Sequence, residues 1–181
     1  MRLLIGAGAD PNGAVTGSWH AETPLHWAAS SDDSEVAVAL IDGGADVEAP
    51  GASVAGGTPL DDAVGYGCWN VARLLVERGA RVESLWYAAA LGMTARVEEL
   101  LDSGRPASSG EIDHAFWQAC HGGQRRTAEY LFARGADINA IPGHSKHTPL
   151  DIVPGPGTCR EALMSWLREH GARSAQETPA G

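Results

Sequence analysis

The sequence of 181 residues is poor in positive charge and has no long hydrophobic run. Lys146 is the only lysine among 13 Lys and Arg residues, and the formal net charge is −10. This composition argues against a nucleic-acid partner, because phosphate binding needs clustered basic residues. No apolar run approaches the roughly 18 residues of a transmembrane helix, and the apolar opening is too short for a signal peptide. We therefore expect a soluble, cytoplasmic chain with no membrane contact.

Cysteine pairs and catalytic motifs are also missing. Cys68, Cys120 and Cys159 are far apart and form no CxxC pair. An odd number of widely spaced cysteines favours reduced thiols over a disulfide framework or a zinc site. The GxSxG, phosphate-binding GxxxxGK[ST] and HExxH motifs are absent as well. The sequence therefore predicts a protein that is not an enzyme and has no cofactor and no metal.

Phenylalanine is scarce, with two residues, whereas apolar residues make up 44% of the chain and glycines number 23. The apolar residues are mostly Ala, Leu and Val, which predicts a core of small side chains and closely packed backbones. So many glycines suit a helical protein only if they mark regularly spaced turns. An internal repeat is therefore the first pattern to test.

A short motif recurs along the chain. It reads TPLHWAA from Thr23, TPLDDAV from Thr58 and TPLD from Thr148, and two degenerate copies start at Glu83 and His114. The shortest interval between successive starts is the one from Thr58 to Glu83. The apolar stretches after the motifs end in Gly-Ala pairs, which are Gly44-Ala45, Gly79-Ala80, Gly135-Ala136 and Gly171-Ala172.

The repeated residues have a direct physical interpretation. Thr caps a first helix, and Pro suits its first turn. Leu and the following Ala residues share one helical face, where small side chains let neighbouring helices approach. Glycines such as Gly67 allow the turn to a second helix, and Gly79 can end that helix. We predict five helix pairs beginning near residues 23, 58, 83, 114 and 148, preceded by one helix at about 1–6.

The TPLH-x-A signature and the repeat period of about 33 residues resemble those of the ankyrin-repeat family. The resemblance covers residues 1–173 and implies an all-α solenoid of helix-turn-helix units, with five repeats after an N-terminal half repeat. It also implies β-hairpin fingers, a concave groove lined by the first helices, and a role as a monomeric, non-catalytic protein-binding scaffold. Residues 174–181 are expected to form a disordered tail.

The linkers predict an uneven row of fingers. Residues 46–57 and 137–147 are long and rich in turn residues. Only Arg81-Val82 separates Ala80 from Glu83, so the third repeat has no room for a finger. Pro154 and Pro156 are expected to shorten the first helix of the last repeat. A final helix at about 159–169 should turn Leu163, Trp166 and Leu167 inward.

Several residues are candidates for partner contacts because their register places them off the Leu/Ala face of the first helices, on or near the groove. Aromatic residues among them offer large, stiff contact area, although the same rings could instead fill gaps between repeats. Trp86 and Tyr87 lie where the finger is missing, which favours exposure. The candidate partner-binding residues are Trp27, Asp62, Tyr66, Trp86, Tyr87, Leu91, Trp117, Gln118 and His121.

Other chemical patterns are weaker. Asp32-Asp33 is best explained by helix capping, because adjacent helical residues point about 100° apart. His144 and His147 have an HxxH spacing in a loop without a further ligand, and Cys120-His121 are chain neighbours rather than a catalytic pair. None of these patterns predicts a reactive or metal-binding site.

Two functions remain open. The first is a scaffold that binds another protein, for which the acidic surface favours a basic partner. The second is a sensor that binds a small molecule or peptide in an aromatic pocket at the third repeat. The shape of the pocket distinguishes them, since a shallow groove favours the first and a closed cavity the second.

Overall fold

The computed structural model describes residues 1–14, 21–54, 56–104, 106–153, 155 and 158–177. These residues form eleven α-helices and no strand, so the described chain is all-α as predicted. None of the helices in these ranges is both long and apolar enough to span a membrane. The helices are Arg2–Gly6 (α1), Pro24–Ser30 (α2), Ser34–Asp42 (α3), Pro59–Gly65 (α4), Trp69–Glu77 (α5), Leu85–Ala90 (α6), Thr94–Asp102 (α7), Ser109–His121 (α8), Arg125–Ala133 (α9), Pro149–Ile152 (α10) and Thr158–Glu169 (α11).

The helices form two compact units, residues 1–81 with α1 to α5 and residues 82–181 with α6 to α11. In the first unit α2 contacts α4 in one layer, and α3 contacts both α1 and α5 in the other. In the second unit α8 contacts α6 and α10, while α9 contacts α7 and α11. Each unit is therefore a two-layer stack of helix pairs, with first helices in one layer and second helices in the other.

Three first helices begin with the cap that the Thr-Pro motif predicts. The amide of Thr58 donates to the Asp61 carboxylate, and the Thr58 hydroxyl donates to the same oxygen at 2.7 Å. The Thr148 hydroxyl bonds Asp151 at 2.9 Å. At Thr23 an imidazole replaces the carboxylate, since the amide donates to Nδ1 of His26 at 3.0 Å. The motif therefore fixes where α2, α4 and α10 start.

The alanines of the motif form the contact between helix layers. Ala29, Ala63, Ala89 and Ala119 are all 0% exposed, as is Leu25. Because these side chains are small, neighbouring helices can approach closely and exclude water from their shared face. The predicted core of small residues is confirmed.

The turn between the helices of a pair requires a residue in the left-handed backbone conformation, with positive φ. Gly67 supplies it after α4 with φ of 71°, and Asp32 takes the same conformation after α2 with φ of 53°. Asp32 also accepts hydrogen bonds from the Val71 amide at 2.9 Å and the Asn70 side chain at 2.8 Å, which caps α5. Asp33 caps α3 by accepting from the Val36 amide at 3.0 Å. The acidic pair is structural, as predicted.

The fourth helix pair begins earlier than predicted. Its first helix, α8, starts at Ser109 rather than near residue 114 and runs for 13 residues. The Ser108 hydroxyl and amide both bond the Glu111 carboxylate at 2.9 Å, which closes a capping box. The expectation near 114 was wrong because it relied on the degenerate copy of the motif at His114, whereas the S-x-x-E signature at 108–111 marks the start.

The linkers are loops without strands in the described residues. In the 51–57 loop the amides of Gly51 and Ala52 both donate to the Gly57 carbonyl at 2.9 Å. The second unit has no finger before its first helix, because α6 begins at Leu85, soon after Ala80. Pro154 and Pro156 lie outside the described residues, and so do residues 178–181 of the expected tail. Residues 174–177 form a turn, in which the Ala175 amide donates to Asp151 at 2.7 Å.

Candidate partner-binding surface

Two of the predicted partner contacts in residues 1–81 are open to solvent. Trp27 on α2 is 55% exposed, and Tyr66, which directly follows α4, is 57% exposed. Trp27 also lines an open cleft together with Met1, Pro24 and Val36. Their exposure leaves both residues accessible to a partner, so both stay candidates, although single exposed apolar side chains are common on protein surfaces.

Asp62 is a correction to the predicted set. It is 0% exposed, so no part of it is open to a partner. Its Oδ1 accepts hydrogen bonds from the Ser53 hydroxyl at 2.9 Å and from the Val54 amide at 3.0 Å. The Ser53 hydroxyl also lies 3.0 Å from the Tyr66 hydroxyl. Asp62 therefore fastens the 51–57 loop to α4, where a buried acceptor is needed to satisfy the loop amide.

Replacing Asp62 with alanine should destabilise residues 1–81 by about 1–3 kcal/mol, because it leaves the part-buried Val54 amide without its acceptor. Tyr66→Phe is the matched control. It removes only an exposed hydroxyl from the same network, and we expect a change within about 0.5 kcal/mol. Urea unfolding followed by circular dichroism measures both. Equal effects of the two substitutions would contradict the role of Asp62 as the anchor of the loop.

The predicted contacts of the third pair are partly exposed. Trp86 and Tyr87 lie on α6, and Leu91 follows its last residue. The Trp86 ring stacks on His114 of α8, with centroids 5.2 Å apart and planes inclined by 21°. Trp86 and Tyr87 meet edge to face at 6.4 Å. Neighbouring rings therefore fix the position of Trp86 while it keeps part of its surface in solvent.

Trp117 is the second correction. It is 5% exposed, and its indole Nε1 donates to the His147 carbonyl at 2.9 Å. Its ring also lies 5.3 Å from that of His121 and 5.5 Å from that of His144. This indole fills the space between α8 and the 141–147 loop, so it is a packing residue in this arrangement rather than an exposed contact.

Imidazoles surround the buried indole. The side-chain amide of Gln118 lies between two of them, with its Nε2 3.3 Å from Nε2 of His114 and its Oε1 3.5 Å from Nδ1 of His121. His114 and His144 rings are 5.0 Å apart. Gln118 and His121 are both partly exposed. The histidine patch, as we name this group, consists of Trp86, His114, Trp117, Gln118, His121 and His144.

Burial and the nearby His144 favour the neutral forms of His114 and His121. Burial lowers the pKa of His114 and of His121, and the nearby His144 lowers both further. Burial also raises the pKa of the Cys120 thiol, which is 0% exposed. A nucleophilic cysteine requires a depressed pKa and access to solvent. Cys120 and His121 are therefore not arranged for thiol catalysis. Among the described residues no group of three His, Cys, Asp or Glu side chains could hold a metal ion.

The comparison with known families agrees with the helix pairs. Residues 1–85 match the family model for ankyrin repeats, described as three copies. Residues 1–85 are therefore ankyrin repeats. No curated protein matches the sequence. Among solved structures it is similar to the crystal structure of the human ASB11 ankyrin repeat domain, with 21% identity over 99% of this chain and 78% of that chain and a TM-score of 0.47.

Sequence reasoning missed His114 and His144 as members of the histidine patch. His114 was used only to mark a repeat start, and His144 was considered only as a metal ligand. A spacing signal was available, because His114, Gln118 and His121 follow the three- and four-residue steps of one helical face. His144 had no such signal, since it reaches the patch from a loop that lies beyond the whole of α9 in the chain.

Proposed function

We propose that this ankyrin-repeat protein is a non-catalytic scaffold that binds a partner protein through its first helices and the loops that precede them. Ankyrin repeats are generally protein-binding modules and are typically non-catalytic. The net charge of −10 supports a basic partner. The free thiols of Cys68 and Cys120 support a cytoplasmic setting. We further infer that the protein acts as a monomer.

The observation that carries the proposal is the exposure of positioned aromatic rings on α6. Trp86 and Tyr87 remain partly open to solvent while ring contacts with each other and with His114 hold Trp86 in place. Binding of a partner to these rings therefore loses little side-chain conformational entropy, because folding already fixes their positions. Such aromatic anchors dominate binding energy at protein interfaces.

The alternative is a sensor for a small molecule or peptide at the same place. Trp86 lines an open cleft of about 270 Å³, together with Leu85, Leu100 and Leu101. Small-molecule sites are typically clefts of roughly 300–1,000 Å³ that enclose most of the ligand. A small open cleft supports contact with one side chain of a partner better than enclosure of a free ligand.

Replacing Trp86 and Tyr87 together with alanine should weaken partner binding by about 2 kcal/mol or more, roughly 30-fold in Kd. The full chain is used as bait in an extract of its native cells, and proteins retained by the natural chain but lost from the double variant are identified. Binding of the purified candidate to both chains is then measured by calorimetry. Leu3→Ala is the control, because Leu3 is 90% exposed on α1, a helix that contacts the second helix α3.

The helix content must stay intact for the comparison to be meaningful, and circular dichroism reports it. An unfolded double variant would assign Trp86 and Tyr87 to the core and remove the basis of the proposal. Normal binding by a folded double variant would place the partner elsewhere, on the 46–57 or 137–147 loop.

A further inference from the structure

The 141–147 loop is held on α8 by a small set of contacts. The Trp117 indole donates to the His147 carbonyl at 2.9 Å, which joins the helix to the end of the loop. The His144 ring contacts the rings of Trp117 at 5.5 Å and His114 at 5.0 Å. His144 itself is exposed, so protons reach it freely. The contact therefore combines one hydrogen bond with two ring contacts of His144.

The elements around this contact also carry carboxylate groups. On α8, Glu111 accepts from the Ser108 amide and Asp113 accepts from the Asp137 amide. On α10, Asp151 accepts from the Thr148 hydroxyl and the Ala175 amide.

The remaining charges lie on α6 and on the loop itself. Glu83 precedes α6, whose Trp86 ring covers one face of His114. Within the loop, Lys146 adds a positive charge two residues from His144, and His147 can add another. The Glu111, Asp113 and Asp151 carboxylates thus accept hydrogen bonds from backbone amides, and Asp151 also interacts electrostatically with His147.

We propose that the contact between the 141–147 loop and α8 is a proton-operated latch, closed while the histidines are neutral and released when they take up protons. Charged His114 and His144 imidazoles, whose rings lie 5.0 Å apart, repel each other, and burial disfavours a charge on His114. Release removes the cover from Trp117, which is 5% exposed when the latch is closed. The latch would therefore change the aromatic surface offered by α8 with pH.

The direction of the pH dependence follows from the histidines. In the closed state the pKa values of His114 and His121 are lowered from 6.5. The open state then binds more protons between those lowered values and about 6.5, so closure is favoured as pH rises. The contribution of the two histidines to closure is fully present above about pH 6.5 and is lost as pH falls through their lowered pKa values.

The test follows the indole proton of Trp117 in the full chain. Protein labelled with ¹⁵N-tryptophan is studied by NMR between pH 7.5 and 5.5, with the signal assigned by Trp117→Phe. We expect the solvent protection of this proton, measured relative to the exposed Trp27 indole, to fall at least 10-fold across this range. Amide protection in α9 should stay constant, because the opening is local.

Two charge-removing variants complete the design, with one control. His144→Gln and His114→Gln should each reduce the pH dependence of Trp117 protection to less than about threefold, since neither can acquire a proton. His170→Gln, on the turn after α11, should leave the dependence unchanged. The proposal is overturned if natural Trp117 protection is flat across the range, if α9 amides lose protection in parallel, or if the pH dependence persists in both patch variants.

Discussion

Replacing Gly122 with alanine should destabilise residues 82–181 by about 3 kcal/mol. Gly122 follows the last residue of α8 with φ of −77°, a conformation that any residue adopts. The obstacle is space, because a Cβ there would overlap the carbonyl oxygen of Ala90, at the end of α6. Backbone cannot rotate away as a flexible side chain can, so α6 and α8 would have to separate. Urea unfolding of the full chain measures the loss.

Gly110→Ala is the matched control on the same helix. A Cβ at Gly110 meets nothing within 4 Å, and the position is exposed near the start of α8. Alanine has the higher helix propensity, so this variant should be neutral or more stable by up to about 1 kcal/mol. A Gly122→Ala protein within about 1 kcal/mol of the natural chain would show that α6 and α8 are free to separate.

Replacing Phe116 with alanine should cost about 3–5 kcal/mol, the range measured for buried aromatic residues. Phe116 is 0% exposed on α8. Its ring lies 6.4 Å from Phe132 of α9 and 6.5 Å from Trp166 of α11, so three helices share one cluster. The vacated space cannot close without moving all three. Urea unfolding and hydrogen exchange of α8, α9 and α11 amides report the effect.

Phe116→Leu is the conservative variant that shows how much of the loss comes from the missing apolar volume. Leucine keeps much of the buried apolar volume, so we expect a loss of about half or less of that for alanine. In a stack of repeats each unit depends on its neighbours. Increased exchange should therefore appear in α9 and α11 as well as in α8. An effect confined to α8 would contradict the shared cluster.

The local features of this fold could be predicted from the sequence because they depend on residues close together in the chain. A Thr-Pro pair with an acceptor three residues later starts a helix wherever it occurs, and α4 and α10 show the complete motif. The three- and four-residue spacing in α11 also predicted that Leu163, Trp166 and Leu167 face inward, and all three are buried. Ser109 as the start of α8 was equally local, but its signature was overlooked.

Burial of the candidate site residues was decided by tertiary structure. Trp27 and Asp62 hold the same register position, yet Trp27 is 55% exposed and Asp62 is 0% exposed. The difference lies in the 51–57 loop, whose Ser53 and Val54 turn onto Asp62. A register position gives the direction of a side chain from its helix, but a loop conformation decides what covers it.

By itself, the sequence determined the repeat, the helix pairs and the small-residue core, since each follows from spacing along one helix. The tertiary structure alone placed His144 against His114 and Trp117, at ring distances of 5.0 and 5.5 Å. These contacts join the 141–147 loop to α8, although the whole of α9 lies between the two in the chain. Their geometry therefore depends on the path of the entire linker. That separation is why the repeat motif identified the family, while the histidine patch became visible only in the folded chain.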